Sequence, residues 1–243
     1  GRIARSVPDI ENIPVVEVGP GPGGLTRAIL MAGAKHVIAI EKDKTTMPIL
    51  SQIIDASDGK LQVIYDDALR VDFSALGFSE YAICANLPYN VGTELLIGWL
   101  QKIASGEKIK SLTLMFQREV AQRITSNVGD EHYGRLAVLT SLIADSKILF
   151  EVPNTAFVPR PKVQSAVVQI IPNADKIARI QDLSKIEQIT AKLFGQRRKM
   201  IRNSLKAVFG NFNGEEPRFF SMRAEQLSVA DFVELTNWVA ENK

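Results

Sequence analysis

The sequence predicts an α/β fold built on a seven-stranded, mostly parallel sheet, with a small all-helical domain after it. Three observations lead to this prediction. Short apolar runs alternate with helical segments along residues 13–171, a glycine-rich segment follows the first run, and strand-like runs stop after residue 171. We therefore expect two domains, residues 1–171 and residues 172–243.

Composition excludes several classes of protein. Of the 243 residues, 46% are hydrophobic and 23% are charged, with a net charge of +2, which excludes a disordered or uniformly polybasic chain. The one cysteine, Cys84, lies in an apolar run, where we expect it to pack as a small hydrophobe. His36 and His132 are too far apart for a metal-ligand pattern, so no metal site is predicted. No run of about eighteen apolar residues occurs, so we expect no membrane span.

The first strand, residues 13–18, leads through the glycine-rich residues 19–24 into a helix. This is the opening of a nucleotide-binding βαβ unit. Two ligand classes fit the loop. With Gly24 the glycines have the dinucleotide spacing G-x-G-x-x-G, whereas with Gly23 they have the tighter G-x-G-x-G spacing expected for S-adenosylmethionine. The acid Glu17 inside the strand and the two loop prolines favour the second class.

The second and third strands end in acids. Residues 36–40 lead to Glu41, and an acid at this place can accept hydrogen bonds from both hydroxyls of a ribose; the alternative is a solvated charge. Residues 61–65 lead to Asp66 and Asp67, where an acid can accept a hydrogen bond from an adenine amine; the alternative is a turn cap. We assign Asp67 to the cofactor and Asp66 to solvent.

The fourth strand, residues 81–85, ends in the segment Asn-Leu-Pro-Tyr-Asn at 86–90. The Asn86 side-chain carbonyl and a nearby backbone carbonyl can accept hydrogen bonds from an exocyclic amine, and Tyr89 offers a face for stacking. Pro88 fixes the local backbone. A structural turn with a partly buried tyrosine explains these five residues equally well. Because the carboxyl ends of parallel strands meet at one edge, we expect the strand-end groups to form one site.

The remaining strands are predicted at residues 111–116 and, as a terminal pair, at 147–152 and 163–171. The helices between the fourth strand and this pair are predicted at residues 93–104, from 117, and at 133–145. A proline-rich loop separates the terminal pair, and Phe157 within it is a candidate second wall for a flat ring held by Tyr89. The alternative is that Phe157 fills the core.

Residues 188–214 contain six basic residues and no acid. The six are Lys192, Arg197, Arg198, Lys199, Arg202 and Lys206. On a helix, Arg198, Arg202 and Lys206 form one stripe. The adjacent apolar stripe, which can dock on the body of the protein, consists of Ile201, Leu205 and Val208. This arrangement predicts a phosphate-contacting face for RNA or DNA, the alternative being a solvated helix face.

Together, these segments resemble the small-subunit ribosomal RNA adenine dimethyltransferases. The resemblance spans nearly the whole chain. The matching segments are residues 17–21, Glu41, residues 67–68, 86–90, 117–123, 133–136, 152–153, 157–167 and 194–205. The last two are quite specific to this family.

The resemblance implies a Rossmann-like class I methyltransferase that transfers two methyl groups to N6 of each of two adjacent adenines near the 3′ end of small-subunit (16S) ribosomal RNA. The implied S-adenosylmethionine site consists of Glu17, Gly19, Gly21, Glu41, Lys42, Asp67, Ala68 and Asn86. Asn86, Leu87 and Tyr89 would hold the target adenine, with Phe157 on its other face. The implied RNA contacts are Arg118, Arg123, Arg197, Arg198, Lys199, Arg202 and Lys206. The implied partner is the immature small ribosomal subunit, bound by a cytoplasmic monomer.

Two departures from the family accompany the match. Family members normally begin with a Gln-Asn-Phe type segment that closes over the methionine end of the cofactor, and the sequence here starts after it, so we expect a trimmed chain. Residues 91–93 read Val-Gly-Thr, where Ile-Ser-Thr is common.

Three other functions compete with this one. The erythromycin-resistance methyltransferases of 23S ribosomal RNA usually read Asn-Ile-Pro-Tyr at the central motif and lack a close equivalent of residues 196–205. A mainly non-catalytic ribosome-assembly factor is disfavoured by the intact Glu41, Asn86 and Tyr89. An enzyme using NAD would need a catalytic histidine or a Tyr-Lys pair, and we find none convincing.

Overall fold

A computed structural model of the chain describes residues 1–157 and 160–242. It divides into two compact units. The first contains Gly1–Ala121 and Ser146–Pro172, and the second contains Gln122–Asp145 and the chain from Asn173 onward. This differs from the expected cut after residue 171 in one segment, 122–145. The reason is that the helix within this segment packs against helices of the second unit.

The strands of the sheet have the following bounds: β1 Val15–Val18, β2 Val37–Glu41, β3 Leu61–Tyr65, β4 Tyr81–Asn86, β5 Ile109–Gln117, β6 Ala144–Val152 and β7 Ser165–Pro172. The helices are α1 Arg2–Arg5, α2 Gly24–Met31, α3 Met47–Asp55, α4 Gly92–Ala104, α5 Arg118–Thr125, α6 Arg135–Ile143, α7 Ala174–Ile177, α8 Leu183–Gly195, α9 Ile201–Phe209 and α10 Val229–Glu241.

The strands form one seven-stranded sheet in the order β3-β2-β1-β4-β5-β7-β6. The pairs β1 with β2, β1 with β4, β2 with β3 and β4 with β5 are parallel, and β5 with β7 is antiparallel. The expected mostly parallel sheet is therefore confirmed. Every residue of β1 and β2 is buried, as in parallel sheets that helices cover on both faces, and this explains their continuous apolar runs.

The first unit packs a large aromatic core beside β4. The Phe73 ring lies 6.3 Å from Tyr81 and 6.2 Å from Trp99, and all three side chains are buried. Cys84 is buried as a free thiol in the middle of β4, which confirms its predicted packing role. Because β4 is fixed from inside by these contacts, its end at Asn86 has a fixed position at the edge of the sheet.

The second unit is helical. Its core includes Phe194 of α8, whose ring lies 6.1 Å from that of Tyr133 and 5.6 Å from that of Phe232. The buried Tyr133 hydroxyl donates a hydrogen bond of 2.8 Å to the Leu227 carbonyl. Within residues 1–157 and 160–242, no helix has the length and apolar character needed to span a membrane.

Candidate active site

The glycine loop between β1 and α2 requires glycine at three places. Gly19, Gly21 and Gly23 have φ values of 72°, 53° and 83°, in the left-handed region that side chains disfavour. A Cβ atom on Gly23 would lie 2.1 Å from Ile53 Cδ1, whereas one on Gly24 would have open space. The backbone therefore requires the glycines of the G-x-G-x-G spacing and not the additional glycine of the dinucleotide spacing.

Glu41, at the end of β2, holds this loop. Its Oε2 atom accepts a hydrogen bond of 2.9 Å from the Gly21 N–H, and its Oε1 atom accepts one of 2.8 Å from the Asp43 N–H. Each carboxylate oxygen keeps a second lone pair. Since Glu41 also lines a cleft, its carboxylate can accept further hydrogen bonds from ligand hydroxyls there.

Asp67, after β3, is held by a neighbour across the same edge of the sheet. Lys42 Nζ lies 2.7 Å from Asp67 Oδ2, and the Leu69 N–H donates to Asp67 Oδ1 at 3.0 Å. The hydrogen bond from Lys42 lowers the pKa of Asp67, so its carboxyl stays ionised as an acceptor. Asp66, assigned to solvent from the sequence, is exposed but also lines the cleft.

These strand ends line a cleft of about 230 Å³. Its lining includes Gly19, Glu41, Lys42, Asp67 and Ala68, five of the residues assigned to the cofactor. The lining residues that were not assigned to the cofactor are Val18, Ile40, Asp66, Leu69, Pro88, Asn90, Val91 and Leu95. Pro88 and Asn90 belong to the segment 86–90 that stands out in the sequence. The five apolar residues look like ordinary core or loop positions, so the sequence offered no signal for them.

Glu17 does not reach this cleft. It is 1% exposed within β1, and its Oε2 atom accepts a hydrogen bond of 2.6 Å from the Thr26 hydroxyl in the first turn of α2. Its Oε1 atom has no hydrogen-bond partner in the part of the chain that the structure describes. Burial raises the pKa of Glu17 to about 7, although the bond from Thr26 acts in the opposite direction. The structure thus gives Glu17 a place behind the loop, where it joins β1 to α2.

A second cavity, of about 300 Å³, adjoins the end of β4. It is lined by Asn86, Leu87, Pro88, Tyr89, Phe157 and Pro161. Tyr89 is 54% exposed, so its ring is accessible from this cavity. Phe157 is half-buried and faces the same cavity, whereas the next two residues of its motif, Val158 and Pro159, lie outside the described residues.

The two cavities share one lining residue, Pro88. The glycine loop also approaches this point: a Cβ atom on Gly19 would lie 3.9 Å from Pro88 Cδ and 4.0 Å from the Asn86 carbonyl oxygen. Asn86 lines the second cavity and is not part of the cleft lining, so the structure places it with the ring-holding residues. A ligand in the cleft and a flat ring in the second cavity would therefore be neighbours.

The basic residues are arranged differently from the expected stripe. Helix α9 begins at Ile201, so Arg198 lies before it and does not share a face with Arg202 and Lys206. Ile201 and Leu205 are buried as expected, but Val208 is 47% exposed and does not dock.

Several of the predicted RNA-contacting cations have partners within the protein. Arg202 and Lys206 contact Glu216, and Arg118 Nε lies 2.9 Å from Glu151 Oε1. The Arg197 guanidinium lies 5.8 Å from the Phe194 ring centroid. Arg123, Arg198 and Lys199 are exposed.

Known proteins are similar to this chain in sequence. The family model described as ribosomal RNA adenine dimethylase matches residues 2–241. A protein of Mesorhizobium japonicum named ribosomal RNA small subunit methyltransferase A is 47% identical over 98% of this chain and 88% of its own. The protein of that name from Agrobacterium fabrum is 48% identical over 97% of this chain and 86% of its own.

Solved structures share the fold at lower identity. A dimethyladenosine transferase from Plasmodium falciparum superposes with a TM-score of 0.79 at 24% identity, covering 96% of this chain and 92% of that one. The 23S rRNA methyltransferase ErmE gives a TM-score of 0.66 at 24% identity, covering 97% and 96%. The fold is thus the Rossmann-like class I methyltransferase fold that was predicted. With the family model matching almost every residue, the chain belongs to the ribosomal RNA adenine dimethylase family.

Proposed function

We propose that this enzyme transfers methyl groups from S-adenosylmethionine to N6 of two adjacent adenines near the 3′ end of small-subunit (16S) ribosomal RNA during ribosome biogenesis. Family membership and the names of the relatives support ribosomal RNA of the small subunit as the substrate. The observation that carries the proposal is a pair of cavities with Pro88 in both linings. One is lined by carboxylates and the glycine loop, and the other by an amide and two aromatic rings.

The residues of the cleft fit an adenosyl cofactor. Glu41 offers free lone pairs for ribose hydroxyls, and Asp67 is kept ionised as an acceptor for the adenine amine. Gly19 and Gly21 let the backbone approach a ligand closely. S-adenosylmethionine supplies an electrophilic methyl group on a sulfonium centre.

The residues of the second cavity fit a purine removed from its stack. Unstacking the target adenine costs a few kcal/mol, and stacking on an aromatic side chain returns about 1–3 kcal/mol for each base. The exposed Tyr89 ring and the half-buried Phe157 ring both face this cavity. Together they offset the cost of extruding the base.

Asn86 and the Leu87 carbonyl are the groups that act on the reacting N6 nitrogen. The adenine amine is a poor nucleophile because its lone pair is delocalised into the ring. Hydrogen bonds accepted from N6 by the Asn86 side chain and the Leu87 carbonyl favour a tetrahedral, nucleophilic nitrogen. For each methyl group that N6 gains, the bond of that methyl to sulfur breaks and one N6 proton passes to solvent. None of the described residues that line the cavity is an acid, a histidine or a lysine. The residues therefore act by positioning and electrostatics, and not as a strong general base.

The proposal extends to the oligomeric state, the RNA contacts, the partner and the compartment. We propose that the enzyme acts as a monomer. The exposed Arg198 and Lys199 are proposed to contact RNA phosphates. With the immature small ribosomal subunit as partner, we place the reaction in the cytoplasm.

Transfer of labelled methyl groups from S-adenosylmethionine to immature ribosomal subunits tests this function. We expect label in small-subunit RNA, mapped to two adjacent dimethylated adenines near the 3′ end. Large-subunit RNA in the same reaction is the control and should stay unlabelled. Label in large-subunit RNA alone, or no transfer to either RNA, would contradict the proposal.

A further inference from the structure

Two cations on α9 converge on one carboxylate oxygen. Arg202 Nη2 lies 2.8 Å and Lys206 Nζ lies 3.5 Å from the same atom, Oε1 of Glu216. Glu216 lies in the segment between α9 and the short helix Arg218–Ser221. Residues 188–214 contain no acid, and this carboxylate comes from just beyond that range.

The spacing of the two cations makes a neighbouring anion favourable, because it places two like charges close together. Arg202 and Lys206 are four residues apart and therefore share one face of the helix, where like charges repel. The adjacent face is fixed, because Ile201, Ser204 and Leu205 are buried. The helix thus presents its two charges together at the surface, and one oxygen atom between them relieves the repulsion.

The backbone on the amino-terminal side of Glu216 is anchored. The Phe212 ring packs 5.9 Å from Phe220 and 5.1 Å from Trp238, and the Asn213 N–H donates to the Asn242 carbonyl at 3.0 Å. A Cβ atom on Gly214 would lie 2.6 Å from Asn242 Oδ1. These contacts hold the segment in a position from which the Glu216 side chain reaches α9. The Glu216 side chain is 41% exposed, so it can rotate into solvent while this anchor stays in place.

We propose that Arg202 and Lys206 form a binding site for one backbone phosphate of RNA, and that Glu216 is a built-in competitor which the phosphate displaces. This inference rests on the proposed function in taking RNA as the ligand. A phosphate oxygen can take the place of the carboxylate oxygen between a guanidinium and an ammonium group. Exposed ion pairs are weak, so the competitor lowers affinity without closing the site.

The test compares two charge-matched variants. Glu216→Gln removes the competitor at nearly constant volume, and Glu215→Gln makes the same charge change at the neighbouring residue. Binding of each protein to a uridine 20-mer and to unmethylated small ribosomal subunits is measured over a range of salt concentrations. We expect Glu216→Gln to bind both about three- to fivefold more tightly than the wild type, with less than half of that gain in Glu215→Gln.

A second pair of variants shows whether the gain in RNA affinity depends on Arg202 and Lys206. Arg202→Gln combined with Lys206→Gln should weaken binding, and adding Glu216→Gln to that protein should restore nothing. Thermal unfolding verifies that each variant is folded. Equal affinities of Glu216→Gln and Glu215→Gln, or a gain that persists without Arg202 and Lys206, would overturn the proposed site.

The two ligands separate this inference from the proposed function. The uridine 20-mer contains no adenine, so its binding reports on the phosphate site even if small-subunit RNA is not methylated. Conversely, normal methyl transfer by the wild type with no difference between the two glutamine variants would remove the site and leave the function standing.

Discussion

At the scale of single residues, environment gives the acids of the first two strands different tasks. Glu41 accepts two backbone N–H groups and still faces the cleft, so it can both fix the glycine loop and bind a ligand. Glu17 is buried with one hydroxyl partner, so it can only support the structure. In the sequence both are acids near a glycine loop, and their positions along the strands separate them. Glu17 pairs with Ala39 inside the sheet, whereas Glu41 is the last residue of β2.

Asn86→Ala tests the amide at the end of β4. Asn86 lines the second cavity, so its loss should leave the cleft intact. We expect the rate of methyl transfer to fall by about 10²–10³, as for loss of one polar group that acts on the transition state. Calorimetric binding of S-adenosylmethionine should largely survive. Near-normal turnover by this variant would remove Asn86 from the mechanism.

Glu17→Gln tests the buried carboxyl. Its pKa rises from an ordinary 4.5 to about 7 in the folded protein. A raised carboxyl pKa gives stability that is fully present below the unfolded pKa and is lost as pH rises through the folded pKa. Relative to Glu17→Gln, the free energy of unfolding of the wild type should fall by about 2 kcal/mol between about pH 5.5 and pH 8.5. Urea unfolding measures this, and parallel pH profiles of the two proteins would contradict the raised pKa.

At the scale of elements, the glycine loop is the part most narrowly determined by backbone geometry. Gly23→Ala places a Cβ atom at positive φ and against Ile53. We expect a loss of stability of about 2–4 kcal/mol, combining left-handed strain with overpacking, and a raised KM for S-adenosylmethionine.

Gly24→Ala is the matched control for this change. Gly24 is the next residue, in the first turn of α2, with open space around its Cα. We expect this variant to be neutral or more stable by up to about 1 kcal/mol. Equal losses in the two variants, read from chemical unfolding, would show that the loop does not require its third glycine.

Elements with local signals were predictable, and long-range partners were not. β3 has the predicted bounds, Leu61–Tyr65, because an apolar run ends at acidic turn residues. The basic stripe was wrong at Arg198, because α9 starts three residues later. The pairing of Arg202 with Glu216 depends on a loop that returns to the helix, and the absence of acids within a stretch of sequence carries no information about such a contact.

At the scale of the whole molecule, the two units do not correspond to one cut in the sequence. Helix α6 lies between strands in chain order but packs with α7, α8 and α10. Its buried residues include Ala137, Val138, Leu139 and Thr140, so consecutive positions around the helix are covered, as expected of a helix inside a core. This apolar pattern was visible in the sequence, but the identity of the covering helices was not.

The arrangement of both cavities around Pro88 is tested most directly by a crystal structure with a bisubstrate analogue, adenosine joined through N6 to the S-adenosyl group. We expect the donor half to lie in the cleft with its ribose hydroxyls on Glu41, and the joined adenine to lie between Tyr89 and Phe157 with N6 within hydrogen-bond distance of Asn86. A donor half bound outside the cleft, or an adenine outside the second cavity, would contradict the proposed active site.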